Sequence, residues 1–262
     1  LIETIWEKHV NNYPSIHMIQ EFLKENTHTA FIVGATTKRE FAATDKIPGT
    51  ARKFKNTDIW YDRYNTALQI TANDVGFYHK SKLVLGVEKM PYYRYFKFLD
   101  HFAADLGGTV GSLGVQEEAS NFSFHETTIA PIICYESVYP EYVSSYVQKG
   151  AQLLFIITND GWWGNTAGYK QHMNYARLRA IENRRSIARS ANTGISALIN
   201  QRGDIIEHTK WWTPAVIKGT LKANSTKTYF TKNGDFIGRV AAFSTILILL
   251  LMLVSYLTSR KP

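Results

Sequence analysis

The pattern of apolar and polar positions divides the chain into alternating helix-like and strand-like segments. In "SIHMIQEFLKE" the residues Ile16, Ile19, Phe22 and Leu23 fall at helical spacing and share one face. "TAFIVGAT" and "NTALQIT" read as strands, and "HKSKLVLGV" leads out of a strand into a loop. "TTIAPIICYE" predicts a strand ending at Cys134, and "AQLLFIITND" another ending near Asn159 and Asp160. "YKQHMNYARLRAIENRRSIA" predicts a helix, followed by strands in "RSANTGISALIN" and "DIIEHT". Between those two strands, Gln201, Arg202, Gly203 and Asp204 make a hairpin turn. Short apolar runs separated by helices imply an α/β layered fold with its sheets buried on at least one face.

The far end of the chain has a different texture. From Val240 to Leu257 it reads "VAAFSTILILLLMLVSYL", with no charged residue between Arg239 and Arg260. Crossing a hydrocarbon layer takes roughly 20 apolar residues. The pattern therefore predicts a folded domain over 1–228, a linker over 229–239, a transmembrane helix over 240–257 and a basic tail over 258–262. Arg260 and Lys261 in that tail argue for a cytoplasmic end and a domain on the opposite side. Arg239 and nearby lysines on the other flank pull against that orientation. The opening, "LIETIWEKHV", has neither a basic nor an apolar leader region and reads like the interior of a longer protein.

Composition changes this picture only in places. The 262 residues are 45% hydrophobic and 20% charged, which is globular and suits one large α/β domain or two small ones. The 15 Tyr and 6 Trp fit either a bulky core or a surface that meets lipid. A net charge of +8 favours anionic partners: nucleic acid, phospholipid headgroups or acidic ligands. Cys134 is the one cysteine, so neither an intramolecular disulfide nor a multi-thiolate metal site can form.

A lone thiol at the end of an apolar strand is well placed to face a cleft, although a buried structural cysteine is the commoner fate. Its company sharpens the question. Lys80, Lys82 and Glu88 lie on a strand exit, and Glu136 stands two residues past the thiol. A cysteine thiol titrates at roughly 8.5 and needs a nearby cation or base to ionise near neutral pH. His172 and His125 could serve as that base or be satisfied structural histidines. Trp162 and Trp163 form an aromatic loop that is either a cover for the site or local packing. Arg177, Arg179, Arg184, Arg185 and Arg189 suggest a basic helix, either a solvated face or one that meets phospholipid headgroups. Leu106–Gly114, "LGGTVGSLG", reads as a loop near the site rather than a phosphate-binding turn.

"KSKLVLGVE", "APIICYE", "ITNDGWWG" and "QHMNYARLRAIENRRSIARSANTGISALINQRGDI" occur in that order and at fitting distances. Together they resemble the bacterial apolipoprotein N-acyltransferases of the nitrilase superfamily, over nearly the whole chain. The resemblance implies a nitrilase-like α-β-β-α sandwich, incomplete at its N-terminal strand, followed by a transmembrane helix. It also implies a Glu-Lys-Cys triad, with Cys134 as nucleophile, Lys80 as the lysine, and Glu88 and Glu136 as supporting carboxylates. In the lysine motif Lys82 replaces the family's histidine and Leu85 its proline. For the triad glutamate two assignments stand: Glu3, or a residue upstream of Leu1. The "IWE" run, which tends to follow that glutamate, favours the second.

The resemblance further implies transfer of an acyl chain from a membrane phospholipid, through a cysteine thioester, to the N-terminal amine of a diacylglyceryl-modified apolipoprotein. Trp162 and Trp163 would then border the lipid entrance. The expected setting is the bacterial inner membrane, multi-pass in the full-length protein, with the domain on the periplasmic side. No metal, organic cofactor or nucleic acid is implied. A membrane-anchored amidase with the same triad, and a non-catalytic module that binds anionic lipid, are the competing readings.

Overall fold

The computed structural model describes residues 3–42, 44–89 and 112–259. Two sheets face each other. The first contains β1 (Thr4–Trp6), β2 (Phe31–Phe41), β3 (Arg52–Lys53), β4 (Trp60–Ile70) and β5 (Val75–His79). Its order is β1-β2-β4-β3, with β5 paired to β4, and only β1 runs parallel to its neighbour. The second sheet contains β6 (Phe122–Phe124), β7 (Thr127–Ile133), β8 (Leu153–Asn159), β9 (Ser186–Asn192), β10 (Ala197–Ile199) and β11 (Ile205–His208), in reverse order across the sheet. Its centre, β7-β8-β9, is parallel. Parallel strands are covered on both faces, and β7 is accordingly buried from Ile129 to Ile133 without alternation.

Helices cover the outer faces. α1 (Pro14–Glu25) lays Ile16 and Leu23 on Ile5, Leu68 and Ile70 of the first sheet. α2 (Pro140–Gln148) and α3 (Ala167–Asn183) cover the second, with Val143, Tyr146, Met173 and Ala176 joining Ile132, Leu154 and Ile156 in one core. Pro at the first position starts both α1 and α2, where its missing N–H costs no helical bond. α3 ends at Arg184, whose left-handed backbone (φ 50°) stops the helix. The result is the four-layer α-β-β-α arrangement expected from the resemblance.

Among the elements not legible in the pattern are β1, β3, β6 and α2. The three strands have two or three residues each, too few to show alternation. Between β11 and the apolar run, α4 (Tyr229–Asn233) docks onto α2 and α3, and Thr231 and Thr228 bond Asn183 and Glu182. The stretch expected as a linker is thus partly folded. α5 (Phe236–Ser259) starts a turn earlier than the apolar run and, at 24 residues, is roughly 36 Å long. None of its residues is buried, and it is long and apolar enough to cross a membrane. The end of the basic tail, Arg260 to Pro262, and most of the glycine-rich run lie outside the described residues.

The five arginines do not form a basic face. Arg179, Arg185 and Arg189 are buried, the last two on and beside β9 rather than on the helix. Arg185 donates to the carbonyls of Ala151, Asn183 and Thr226, so it ties the β8 entry to the segment before α4.

The sheets approach closely at Gly34 of β2, where a Cβ would lie 3.2 Å from Ile157 Cγ2 on β8. Gly34→Val is expected to destabilise the domain by about 1–3 kcal/mol through overpacking. Thermal unfolding of the detergent-purified protein would show this as a lowered melting temperature.

Candidate active site

β5 and β7 end side by side, one on each sheet, and each delivers a candidate group. Cys134 follows β7 and takes φ +49°, a left-handed conformation that non-glycine residues rarely adopt. That conformation turns the chain sharply into the 3-10 turn Cys134–Val138 and leaves the thiol half-buried at the sheet edge. The Cys134 carbonyl is held by Ser137 Oγ, which donates at 2.8 Å, and by His172 Nε2 at 3.1 Å. Both contacts fall on the carbonyl oxygen and neither on the sulfur. His172 therefore supports the backbone of the turn, not the thiol, and His125 lies in the β6–β7 turn against His28.

Behind His172 stands a buried relay. Its Nδ1 is 2.8 Å from Asp160 Oδ1, and Arg189 donates to Asp160 Oδ2 at 2.7 Å. Burial alone would raise the Asp160 carboxyl, but the His172 bond and the Arg189 charge outweigh it and hold the group at about 2.

Lys80 follows β5 and is almost fully buried. Its Nζ donates to both Glu88 oxygens, at 2.7 and 2.8 Å. Glu88 also accepts from Asn65 Nδ2 at 2.9 Å and the Val84 amide at 2.8 Å, so the loop after β5 is folded around this carboxylate.

Glu136 joins the two strand ends. Its Oε1 accepts from Tyr78 Oη (2.6 Å) and the Ser81 amide (2.7 Å), and its Oε2 accepts from the Ile133 amide (2.8 Å). The carboxylate thus grips the lysine segment with one oxygen and the cysteine segment with the other. It is fully buried, and burial pushes its titration up against the pull of these donors. Burial and the adjacent Glu136 charge likewise push the Tyr78 and Tyr146 hydroxyls up.

A cavity of about 420 Å³ opens beside Cys134, and Glu88, Asn159, Gln171 and His172 are polar groups on its wall. Val84, Val87, Val138, Trp162 and Trp163 make most of the rest apolar. Both tryptophans are roughly half exposed, and Trp163 lies against Gly168 at the start of α3.

Of the residues singled out in the sequence, Cys134, Glu88, Trp162 and Trp163 line this cavity, while Lys80 and Glu136 lie buried behind it, bonded to Glu88 and to the Ile133 amide respectively. Glu3 does not. It accepts a hydrogen bond from Ser15 on α1, and alternation along β1 places it on the face of Ile5, under that helix. Glu7, after β1, is occupied by Thr37 and His79 at 2.6 and 2.7 Å. The Asp160–His172 support was missed as such; "ND" at a strand end followed by a helical histidine was its trace.

The Asp160 shift has a defined pH signature. Its unfolded carboxyl titrates near 3.8 and its folded one at about 2. The stabilisation, about 2 kcal/mol, is complete above pH 4 and is lost as pH falls toward 2. Asp160→Asn is expected to lower the melting temperature at pH 7 and to flatten its decline between pH 4 and 2, followed by near-ultraviolet circular dichroism.

Comparison with known proteins gives these groups a context. Residues 13–229 match the carbon-nitrogen hydrolase family. The apolipoprotein N-acyltransferase of Chlorobaculum tepidum is 36% identical over 187 residues, covering 69% of this chain and 35% of that protein. That of Borreliella burgdorferi is 29% identical over 239 residues, 88% of this chain and 43% of the relative. The chain thus spans between a third and a half of these relatives' length. Among solved structures, an amidase from Nesterenkonia sp. AN1 aligns with a TM-score of 0.45 at 15% identity, covering 77% of this chain and 66% of that one. With its match running from α1 to the start of α4, this chain belongs to the carbon-nitrogen hydrolase family.

Proposed function

We propose that this chain is the acyl-transferring domain and a membrane helix of an apolipoprotein N-acyltransferase. The observation that carries the reading is Cys134 on a left-handed turn in the wall of a largely apolar cavity. A chain ending in the exposed apolar helix α5 brings such a cavity to a membrane, and the names of the sequence relatives agree with it.

In the first step Cys134 loses its proton to a base and its sulfur attacks the ester carbonyl of a phospholipid. The carbonyl oxygen becomes an oxyanion, which Lys80 stabilises with its charge while Glu88 fixes its position. The ester C–O bond breaks, and lysophospholipid leaves with the proton as its hydroxyl. The fatty acyl group remains on sulfur as a thioester, its chain along Val84, Val138 and the two tryptophans. In the second step the N-terminal amine of a diacylglyceryl-modified apolipoprotein attacks the thioester. The C–S bond breaks, the thiol regains its proton and the amide is released, giving ping-pong kinetics. The base is a carboxylate other than Glu3, which α1 holds away from the thiol. The setting is the bacterial inner membrane, with the domain on its outer side.

Intact-mass spectrometry of the full-length protein purified in detergent tests this reading. The expected result is a fatty-acyl mass, labile to hydroxylamine, that is absent from Cys134→Ser and unchanged in Glu3→Gln. A bare thiol after incubation with phospholipid, together with hydrolysis of small amides, would instead make the chain an amidase.

A further inference from the structure

A second cavity, of about 760 Å³, opens where α5 leaves the folded domain. Lys82, Tyr139, Glu141, Tyr142, Asp235 and Arg239 line it, and Ala242 of α5 closes one side. We propose that this crevice seats the phosphate of a glycerophospholipid, with Lys82 as its main contact. The inference rests on the acyl-transfer reading and assigns the place of the donor's headgroup.

Three observations lead to it. The crevice lies against the first two turns of an apolar helix with no buried residue, which is the headgroup level if that helix crosses a bilayer. Its charges are also unequally committed. Arg239 donates to the Asn233 carbonyl and stands 3.8 Å from Glu141, so its charge is already partnered. Among the described residues no carboxylate pairs with Lys82, whose ammonium sits 4.9 Å over the Tyr142 ring. A lysine held on an aromatic face at a lipid boundary offers a point charge to a phosphate.

The third observation is its link to the thiol. The Lys82 amide lies 3.4 Å from Glu136 Oε1, the carboxylate that also holds the cysteine segment. Lys82 is two residues past Lys80, at most ~7 Å along the chain. The span from a glycerophospholipid's phosphate to its ester carbonyl is of the same order. Tyr139 of the crevice follows Val138 of the thiol cavity, and its ring meets that of Tyr135 at 5.4 Å. A lipid with its phosphate on Lys82 therefore brings an ester toward Cys134 and an acyl chain toward the tryptophans.

The test uses the full-length protein in detergent and measures initial rates of Cys134 acylation. One donor is a phospholipid; the other is the p-nitrophenyl ester of the same fatty acid, which carries no phosphate. Lys82→Ala is expected to raise KM for the phospholipid roughly fivefold, the loss of one basic contact near a membrane surface. Its kcat and its KM for the p-nitrophenyl ester stay at wild-type values, which also shows that the variant is folded, and Lys82→Arg restores the phospholipid KM. Inorganic phosphate is the soluble arm. Competition by it that Lys82→Ala abolishes, with the lipid KM unmoved, would overturn the lipid assignment. A phospholipid KM independent of Lys82 defeats the crevice assignment alone. Absence of any adduct on the wild-type protein with either donor defeats the acyl-transfer reading, and this inference with it.

Discussion

The Glu136 carboxylate is the constraint on which the site depends. It has no access to water, and its two oxygens are gripped by groups from both sheets: Tyr78 and the Ser81 amide from the first, the Ile133 amide from the second. A buried carboxylate is costly unless its lone pairs are filled, so each partner must arrive in register for the others to be useful. That requirement fixes the end of β5 against the end of β7. Lys80 and Cys134 inherit their proximity from it, since one lies just before Ser81 and the other just after Ile133.

Around this clamp the polar groups divide into two further sets. Glu88 spends its oxygens on Lys80, Asn65 and Val84, so the lysine is oriented and its loop is folded by one side chain. Asp160, His172 and Ser137 hold the carbonyl of the cysteine from the opposite side. The thiol is thus fixed through its own backbone, and the space before it is left to apolar walls. The site thus has a rigid polar rear and a largely apolar front.

The sequence made the longer elements readable and left the short ones hidden. Ile16, Ile19 and Leu23 announce α1 because a helix repeats its apolar face over several turns. β1 and β3 have too few residues to repeat anything, and sheet pairing alone defines them. Cys134, Lys80, Glu88 and Glu136 were legible because their motifs are local. Glu3 shows the limit of that reasoning: its Glu-Thr pair left two assignments open, and only the fold places its carboxylate against Ser15 of α1. The arginines show another limit: spacing along "RLRAIENRRSIAR" suggests one surface, but the helix stops at Arg184 and sends Arg185 and Arg189 into the interior.

The left-handed backbone at Cys134 sets chemistry against folding at a single position. A side chain in that conformation carries strain on the order of 1–3 kcal/mol, which glycine would not. Drift toward stability alone would therefore favour glycine here, and such a chain would fold better while losing its only thiol. A survey of tolerated substitutions that scores abundance and a survey that scores activity should rank this position in opposite order.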